Sequence, residues 1–253
     1  MNRRRQREWF DSERFWRETF PFVFSEKLFA TANESVEKAL KLANPPGTSA
    51  LDLCCGPGRC SIALASRGFA VTGVDRTKYL LDKARSKARA AKVKIDWVQE
   101  DMRDFVRPGA FDLILSMFTS FGYFENRDDD LRVLANAYRT LKPGGALLMD
   151  VMGKEHLAKI LVPALWHTLP NGSTLVDIRK IVDDWTRVQS EWIIIKKNKA
   201  VRFKFHINLY SGIELRERLE GAGFTAVKLF GSLDGSPYDS EAQRLVAVAR
   251  RQK

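Results

Sequence analysis

The 253-residue sequence has no uninterrupted apolar run near the roughly 18–20 residues that a membrane-crossing helix needs. Its Arg-rich start lacks the apolar stretch and small-residue cleavage site of a secretory signal. The chain reads as soluble and cytoplasmic, with no membrane partner. Cysteine and histidine are scarce, three of each. Cys54, Cys55 and Cys60 crowd into one short stretch, where adjacent thiols bridge only with strain, so no disulfide framework is expected. No further Cys or His stands nearby at zinc-ligand spacing, and His156, His167 and His206 are scattered, so no metal site is expected. Sixteen Gly and nine Pro are ordinary amounts, which excludes collagenous and low-complexity chains.

What is present is enough apolar material, 45% of residues, to build one sizeable core or a core with a small subdomain. The net charge is +11, and much of the excess sits at the ends: Arg3, Arg4, Arg5 and Arg7 open the chain, and Arg250, Arg251 and Lys253 close it. Such charge attracts nucleic acid, anionic lipid or acidic substrates. Solvated tails on a basic protein are the plainer reading and the preferred one, because no nucleic-acid motif accompanies the charge.

Residues 1–45 form an aromatic and helical cap, crowded with Trp9, Phe10, Phe15, Trp16, Phe20, Phe22 and Phe24. One helix is expected from Ser25 onward, with Leu28, Phe29, Ala32, Val36, Ala39 and Leu40 on one face. Asn44-Pro45-Pro46-Gly47 ends it. Short apolar strands then alternate with helices. Strands are expected at Ala50–Leu53, Phe69–Val74, Lys94–Val98, Phe111–Met117 and Ala146–Met152. This pattern predicts βαβ units and a parallel sheet covered on both faces. Within 153–210, strands at Val176–Ile181, Trp192–Ile195, Val201–Phe205 and His206–Tyr210 form an antiparallel insertion. Ser211-Gly212-Ile213-Glu214 opens a helix as a capping box, and strands at Phe224–Phe230 and Leu245–Ala249 complete the sheet. The expected fold is thus α/β, a doubly wound, mostly parallel, seven-stranded Rossmann-like sheet with an antiparallel β insertion, its main domain built from 46–152 and 211–253.

The chemistry concentrates at three strand ends. In Leu51-Asp52-Leu53-Cys54-Cys55-Gly56-Pro57-Gly58, Gly56 and Gly58 let backbone approach a ligand where a first strand turns into a helix. Val71-Thr72-Gly73-Val74-Asp75 ends the next strand in a carboxylate, the position that accepts hydrogen bonds from ribose hydroxyls. Glu100-Asp101-Met102 ends the third with a carboxylate and an apolar side chain suited to a purine. The loop lacks both G-x-G-x-x-G and Gly-Lys-Ser/Thr, and Asp52 would oppose a diphosphate. A cationic or zwitterionic nucleoside without phosphate fits.

These segments, with Leu141-Lys142-Pro143-Gly144-Gly145, resemble the class I S-adenosylmethionine-dependent methyltransferases over residues 46–152. Ser120-Phe121-Gly122-Tyr123-Phe124, the insertion, Ser236-Pro237-Tyr238-Asp239 and Arg244-Leu245-Val246 resemble one bacterial-type subgroup of small-molecule enzymes. The resemblance implies S-adenosylmethionine as cofactor and S-adenosylhomocysteine as product. It implies that Asp52 and the Cys54–Gly58 backbone surround the methionine part, although Cys54 stands where the family commonly has Gly or Ala. Asp75 would hold the ribose with Arg76 beside the adenosine. Asp101 would accept from the adenine amino group, Met102 would pack on the ring, and Ser116 with Met117 would line the pocket near the sulfonium. The insertion would fold over the pocket as an acceptor-side lid.

Methyl transfer is an in-line displacement, whose main demand is alignment. The expected acceptor is a nitrogen or oxygen of a small molecule. A hydroxyl acceptor more often requires a base, and Tyr123 and His206 are the acceptor-side candidates for catalysis. Nucleic-acid base-amino methyltransferases carry Asn/Asp-Pro-Pro-aromatic after the fourth strand, where Ser116-Met117-Phe118-Thr119 stands here. That counts against an RNA or DNA substrate, which the basic ends nonetheless keep as an alternative. A second alternative is a protein that binds the cofactor without turnover.

Overall fold

Residues 8–169 and 171–253 are described by the computed structural model; the Arg3, Arg4, Arg5 and Arg7 cluster lies outside the described residues. A 3₁₀ turn at Trp9–Asp11 leads into α1 (Glu13–Val23), whose N-cap Ser12 accepts the Phe15 N–H through its hydroxyl. Two helices follow, α2 (Glu26–Ala30) and α3 (Ala32–Ala43), where one continuous helix is expected from the sequence. The break is at Thr31. Its hydroxyl bonds back to the carbonyls of Lys27 and Leu28, a geometry that bends a helix and diverts its ladder. Leu28, in α2, is 37% exposed.

The chain then runs β1 (Ser49–Leu53), α4 (Arg59–Ala65), β2 (Ala70–Asp75), α5 (Lys78–Ala90), β3 (Asp96–Gln99), β4 (Phe111–Ser116), α6 (Arg127–Thr140) and β5 (Leu141–Val151). After β5 come α7 (Lys154–Ile160), β6 (Ala164–Thr168), β7 (Thr174–Val182), β8 (Arg187–Lys196) and β9 (Lys199–Asn208). The last elements are α8 (Gly212–Gly221), β10 (Thr225–Phe230) and β11 (Leu245–Arg250).

The main sheet has seven strands in the order β10-β11-β5-β4-β1-β2-β3. The five strands β1 to β5 are parallel, while β11 runs antiparallel to β5 and β10 antiparallel to β11. This is the expected fold class. The chain moves outward one way through β1, β2 and β3 and the other way through β4 and β5. The crevice at the carboxyl end of β1 is therefore the switch point at which such sheets bind ligands. Apolar side chains on both faces enforce the two-sided covering. Leu51, Leu53 and Ile114 join one core, while Ala50, Leu113 and Leu115 join the other.

The insertion forms a separate antiparallel sheet in the order β6-β7-β8-β9. The two short strands expected at 201–205 and 206–210 are one strand, β9, because the alternation of Phe203, Phe205 and Ile207 continues through His206 without a turn signal. Helix α7 and strand β6 carry weak patterns and are not anticipated. The insertion's inner face meets the cap: Phe15 lies with ring centroids 5.9, 5.3 and 5.6 Å from those of Trp192, Phe203 and Phe205. At the far end of β9, Asn208 Nδ2 donates to Phe124 O and to Asp130 Oδ2, each at 2.9 Å. The Tyr210 hydroxyl donates to the same Asp130 oxygen at 2.6 Å.

The C-terminal arginines are not a solvated tail. Arg250 donates to the carbonyls of Ala43 and Asn44, and Arg251 to those of Arg139 and Leu141, so both guanidinium groups serve carbonyls at helix ends.

Gly122 joins insertion and main sheet. Its carbonyl accepts the Asn208 N–H at 2.6 Å, its φ is +98°, and a Cβ there would fall 2.7 Å from Asn208 O. Gly122→Ala is expected to cost about 1–3 kcal/mol in urea unfolding, from the backbone conformation and the clash together. Unchanged stability would show that this contact does not constrain the fold.

Candidate active site

Asp75 ends β2 and is 92% buried. Its two oxygens are aimed by backbone donors: Oδ2 accepts the Gly56 N–H at 2.9 Å and Oδ1 the Thr77 N–H at 2.8 Å. Burial raises its pKa, and those two N–H groups oppose the rise. The loop that supplies Gly56 bends through left-handed backbone at Cys54 (φ +59°), Gly56 (+54°) and Gly58 (+83°). That conformation strains any residue with a Cβ, Cys54 included. The Cys54 thiol rests 3.2 Å from Met102 Sδ. Burial pushes its pKa well up, with Asp75, Asp101 and Asp52 adding to the shift, so it is inert as a nucleophile.

Asp52, on β1, is buried with Oδ2 accepting the Ser61 hydroxyl at 2.5 Å. Desolvation lifts its pKa from the usual 3.8 to about 6, against the Ser61 hydrogen bonds. A carboxylate kept in so dry a place is set to receive a cation.

One cavity brings Asp52, Cys54, Gly56, Asp75, Arg76, Asp101, Met102, Met117 and Tyr123 together. Two expected residues lie outside its lining. Ser116 is buried on β4 with its hydroxyl unpartnered, and Gly58 packs on Trp97, whose Cη2 is 2.7 Å from where a Cβ would be. Several lining residues went unanticipated: Arg59 at the start of α4, Thr77 and Leu80 beyond β2, and Phe118 after β4. Only the position of Arg59, directly after the glycine loop, was a signal that could have found it. From the cap, Phe10, Trp16, Val23 and Phe24 close the cavity, so the amino-terminal aromatics form part of its wall.

Asp101 differs most from expectation. Its Oδ1 accepts from the Arg103 N–H and Nε, and its Oδ2 from Arg76 at 2.9 Å and Arg103 Nη2 at 2.7 Å. Partial burial would raise its pKa, but the Arg103 hydrogen bonds and both guanidinium charges hold it below the usual carboxylate range. The same arginines fasten the cap. Arg103 pairs with Glu8 at 2.7 Å, and Arg76 pairs with Asp11. Asp101 thus acts through a latch as well as presenting its rim to the cavity.

A second opening of about 640 Å³ adjoins the first, sharing Tyr123. Trp9, Phe205, Gln189, Asn126 and His206 line it. His206 Nδ1 lies 3.5 Å from Glu125 Oε2, while its Nε2 is buried without a hydrogen-bond partner. The Tyr123 ring lies tilted against Trp9 with centroids 4.7 Å apart, and burial drives its pKa well up, so the phenol keeps its proton. Tyr210, also in the insertion, is fully buried on Asp130 and takes no part in either opening. Among the described residues no group of three or more Cys, His, Asp or Glu side chains is arranged to hold a metal ion, and no helix is long and apolar enough to cross a membrane.

The residues fit the nucleoside that the sequence suggests. They offer a buried, pre-aimed carboxylate for vicinal hydroxyls, a desolvated one for an ammonium, and Met102 and Leu80 as apolar wall for a base. Comparison with known proteins agrees. A family model described as "Methyltransferase domain" matches residues 50–145. The putative methyltransferase YqeM of Bacillus subtilis is 32% identical over 142 residues, 56% of this chain and 57% of that protein, so the match spans little more than half of that relative. The cypemycin N-terminal methyltransferase of a Streptomyces species is 26% identical over 208 residues, 81% of this chain and 84% of its own. A solved S-adenosylmethionine-dependent methyltransferase from Clostridium acetobutylicum superposes with a TM-score of 0.79 at 16% identity, covering 95% of this chain and 98% of that one.

The buried carboxylate gives a test. An aspartate whose folded pKa is raised stabilises the fold most when protonated, and that contribution is lost as pH rises through about 6. Asp52→Asn mimics the protonated form. The wild type is expected to lose about 1–2 kcal/mol relative to Asp52→Asn between pH 5 and 8, read by chemical denaturation at each pH. A difference that does not change with pH would refute the desolvation of Asp52.

Proposed function

We propose that this chain, which belongs to the class I S-adenosylmethionine-dependent methyltransferases by its matched domain and its fold, methylates a nitrogen or oxygen atom of a small molecule. The observation that carries this reading is the pair of openings meeting at Tyr123, one lined by the strand-end carboxylates and one by Trp9, Phe205 and His206 among charged side chains such as Glu8, Glu125, Asp129 and Lys204.

Bound S-adenosylmethionine supplies an electrophilic methyl group on a sulfonium. In this reading Asp75 accepts from the two ribose hydroxyls with the lone pairs that Gly56 and Thr77 leave open. Asp52 receives the ammonium of the amino-acid end. Met102 and Leu80 pack against the adenine, with Asp101, Arg76 and the cap closing over it. Cys54 and Met117 form the wall towards the sulfonium.

The acceptor enters the second cleft, whose wall includes the mutually packed rings of Trp9 and Phe205, and Tyr123 sets its approach. Enclosure by these rings keeps water from the reacting atoms, and alignment supplies most of the acceleration. Tyr123, held protonated, donates a hydrogen bond or packs, and does not act as a base. His206, which borders the cleft with Nδ1 3.5 Å from Glu125 Oε2, is the proton acceptor in this reading. It takes the proton that an acceptor hydroxyl or ammonium must lose. The name of the Streptomyces relative, an N-terminal methyltransferase, supports an amine among the acceptors.

Incubation of the protein with methyl-labelled S-adenosylmethionine and a cell extract tests the reading. Label is expected in a low-mass product that resists nuclease. Label found only in nuclease-sensitive material would replace the small molecule with RNA or DNA, and binding without any labelled product would replace the enzyme with a cofactor-binding protein. With the acceptor identified, His206→Asn is expected to lower kcat roughly 10²-fold while leaving S-adenosylhomocysteine affinity unchanged. An unaltered kcat would remove His206 from the chemistry.

A further inference from the structure

An antiparallel sheet that covers a core with one face ordinarily turns polar side chains outward on the other. The insertion sheet breaks this rule. Its strand register sorts the residues. Trp192 and Phe203 are cross-strand partners and pack with Phe205 on the cap, while Leu175 and Ile194 are partners and buried, so these five mark the inner face. Alternate residues point the other way. On that outer face Trp166, Val176 and Ile193 stand in register, one each from β6, β7 and β8. Ile178 and Ile195 flank this row, one to each side. Trp166 is 73% exposed, and Ile178 and Ile195 are 40% exposed each. Single apolar residues on a surface are ordinary, whereas a contiguous apolar patch rimmed by charge marks a contact surface.

The charge around the row is nearly all of one sign. Lys180, Arg202 and Lys204 share the outer face, and the hairpin tip joining β8 to β9 adds Lys196, Lys197 and Lys199. Against these stands one outer-face carboxylate, Glu191, itself 3.1 Å from Arg202 and 3.9 Å from Lys204. The acidic turn Asp183-Asp184 closes the opposite end of β7 and β8, away from the lysine tip. The same face runs on through Lys204, Gln189 and His206 to the second opening.

We propose that the outer face of the insertion docks on an anionic lipid bilayer, with Trp166 and the isoleucines entering the interfacial layer and the lysines meeting the headgroups. The chemistry is complementary on both counts. An indole ring beside aliphatic side chains suits the boundary between acyl chains and headgroups, and a basic rim is drawn to the negative potential of anionic lipid. A second copy of the chain fits less well, because two such faces brought together would oppose like charges. Single-stranded nucleic acid also fits less well, because it needs several stacking rings and the row offers one aromatic among aliphatics. The contact is peripheral and needs no spanning helix, so it departs from the sequence expectation of no membrane partner. A docked protein would hold the second opening beside the bilayer.

Co-flotation of the full chain with vesicles of equal phosphatidylglycerol and phosphatidylcholine, against phosphatidylcholine alone, tests this without cofactor or acceptor. Partitioning is expected to be about tenfold or more stronger on the anionic vesicles. Lys196→Glu, Lys197→Glu and Lys199→Glu together are expected to reduce it to the neutral-lipid level. A charge-matched set on exposed residues at the end of α5, Arg89→Glu, Lys92→Glu and Lys94→Glu, is expected to keep most of it. Brominated phosphatidylcholine in the anionic vesicles is expected to quench tryptophan fluorescence, and Trp166→Phe to remove most of that quenching. Thermal transitions check that each variant is folded. Equal binding to both kinds of vesicle, equal losses in the two charge sets, or quenching that survives Trp166→Phe would each overturn the proposal. A dimer in sedimentation equilibrium that Trp166→Asp dissociates would give the face to a second copy and overturn it too. Binding of single-stranded RNA that Trp166→Ala abolishes would do the same in favour of nucleic acid.

Discussion

The fold is organised around a carboxylate buried where strands reverse their order. Asp75 leaves β2 with both oxygens aimed by the N–H groups of Gly56 and Thr77. A charge in that position is costly to desolvate, so it persists only where donors compensate it. The Gly56 donor comes from the loop after β1, which turns through left-handed backbone where β1 lies between β2 and β4, and the Thr77 donor comes from the turn that leads from β2 into α5. Sheet order, loop geometry and the polarity of the site are therefore one constraint expressed at three scales.

Around this point the rest of the chain acts as enclosure. The cap contributes Phe10, Trp16 and Phe24 to the cavity wall and is secured at its start by Glu8 and Asp11 on Arg103 and Arg76. The insertion does not reach the site by itself. It stacks Trp192 on Phe15 of the cap and meets the same ring edge-on with Phe203 and Phe205, and the two pieces together frame the second opening. Ion pairs with Arg103, which is 98% buried, stand in a drier setting than surface pairs and hold the latch more firmly than exposed charges could. In the proposed complex this closure excludes water from the methyl transfer, and it brings Tyr123 and His206 to the acceptor side.

Much of this was legible in the sequence, because the signals were local. Gly-Pro-Gly after an apolar strand, carboxylates at three successive strand ends and the alternation of helix and strand marked the sheet, its switch point and the strand-end part of the cavity lining. The failures were non-local. Nothing near Asp101 announces that Arg103 and Arg76 occupy its oxygens, since the bond from Arg76 spans 25 residues of chain. Arg59 reads as an ordinary first residue of a helix, and only its position directly after the glycine loop points to the cavity it lines. Ser116 and Gly58 sit at the right places in the chain but are buried outside the cavity lining, Gly58 against Trp97. Thr31 breaks a helix whose apolar periodicity continues across it, because a hydroxyl bonding to carbonyls in the preceding turn leaves no trace in that periodicity.

The most direct measurement compares the binding of S-adenosylhomocysteine with that of its 2′,3′-dideoxy analogue to the wild-type protein. If the Asp75 carboxylate grips the ribose diol, two hydrogen bonds to a charged group are lost with the hydroxyls, and affinity should fall by roughly 10²-fold or more. Equal affinities would mean that the buried carboxylate at the end of β2 does not hold the ribose, and the account built on it would fail.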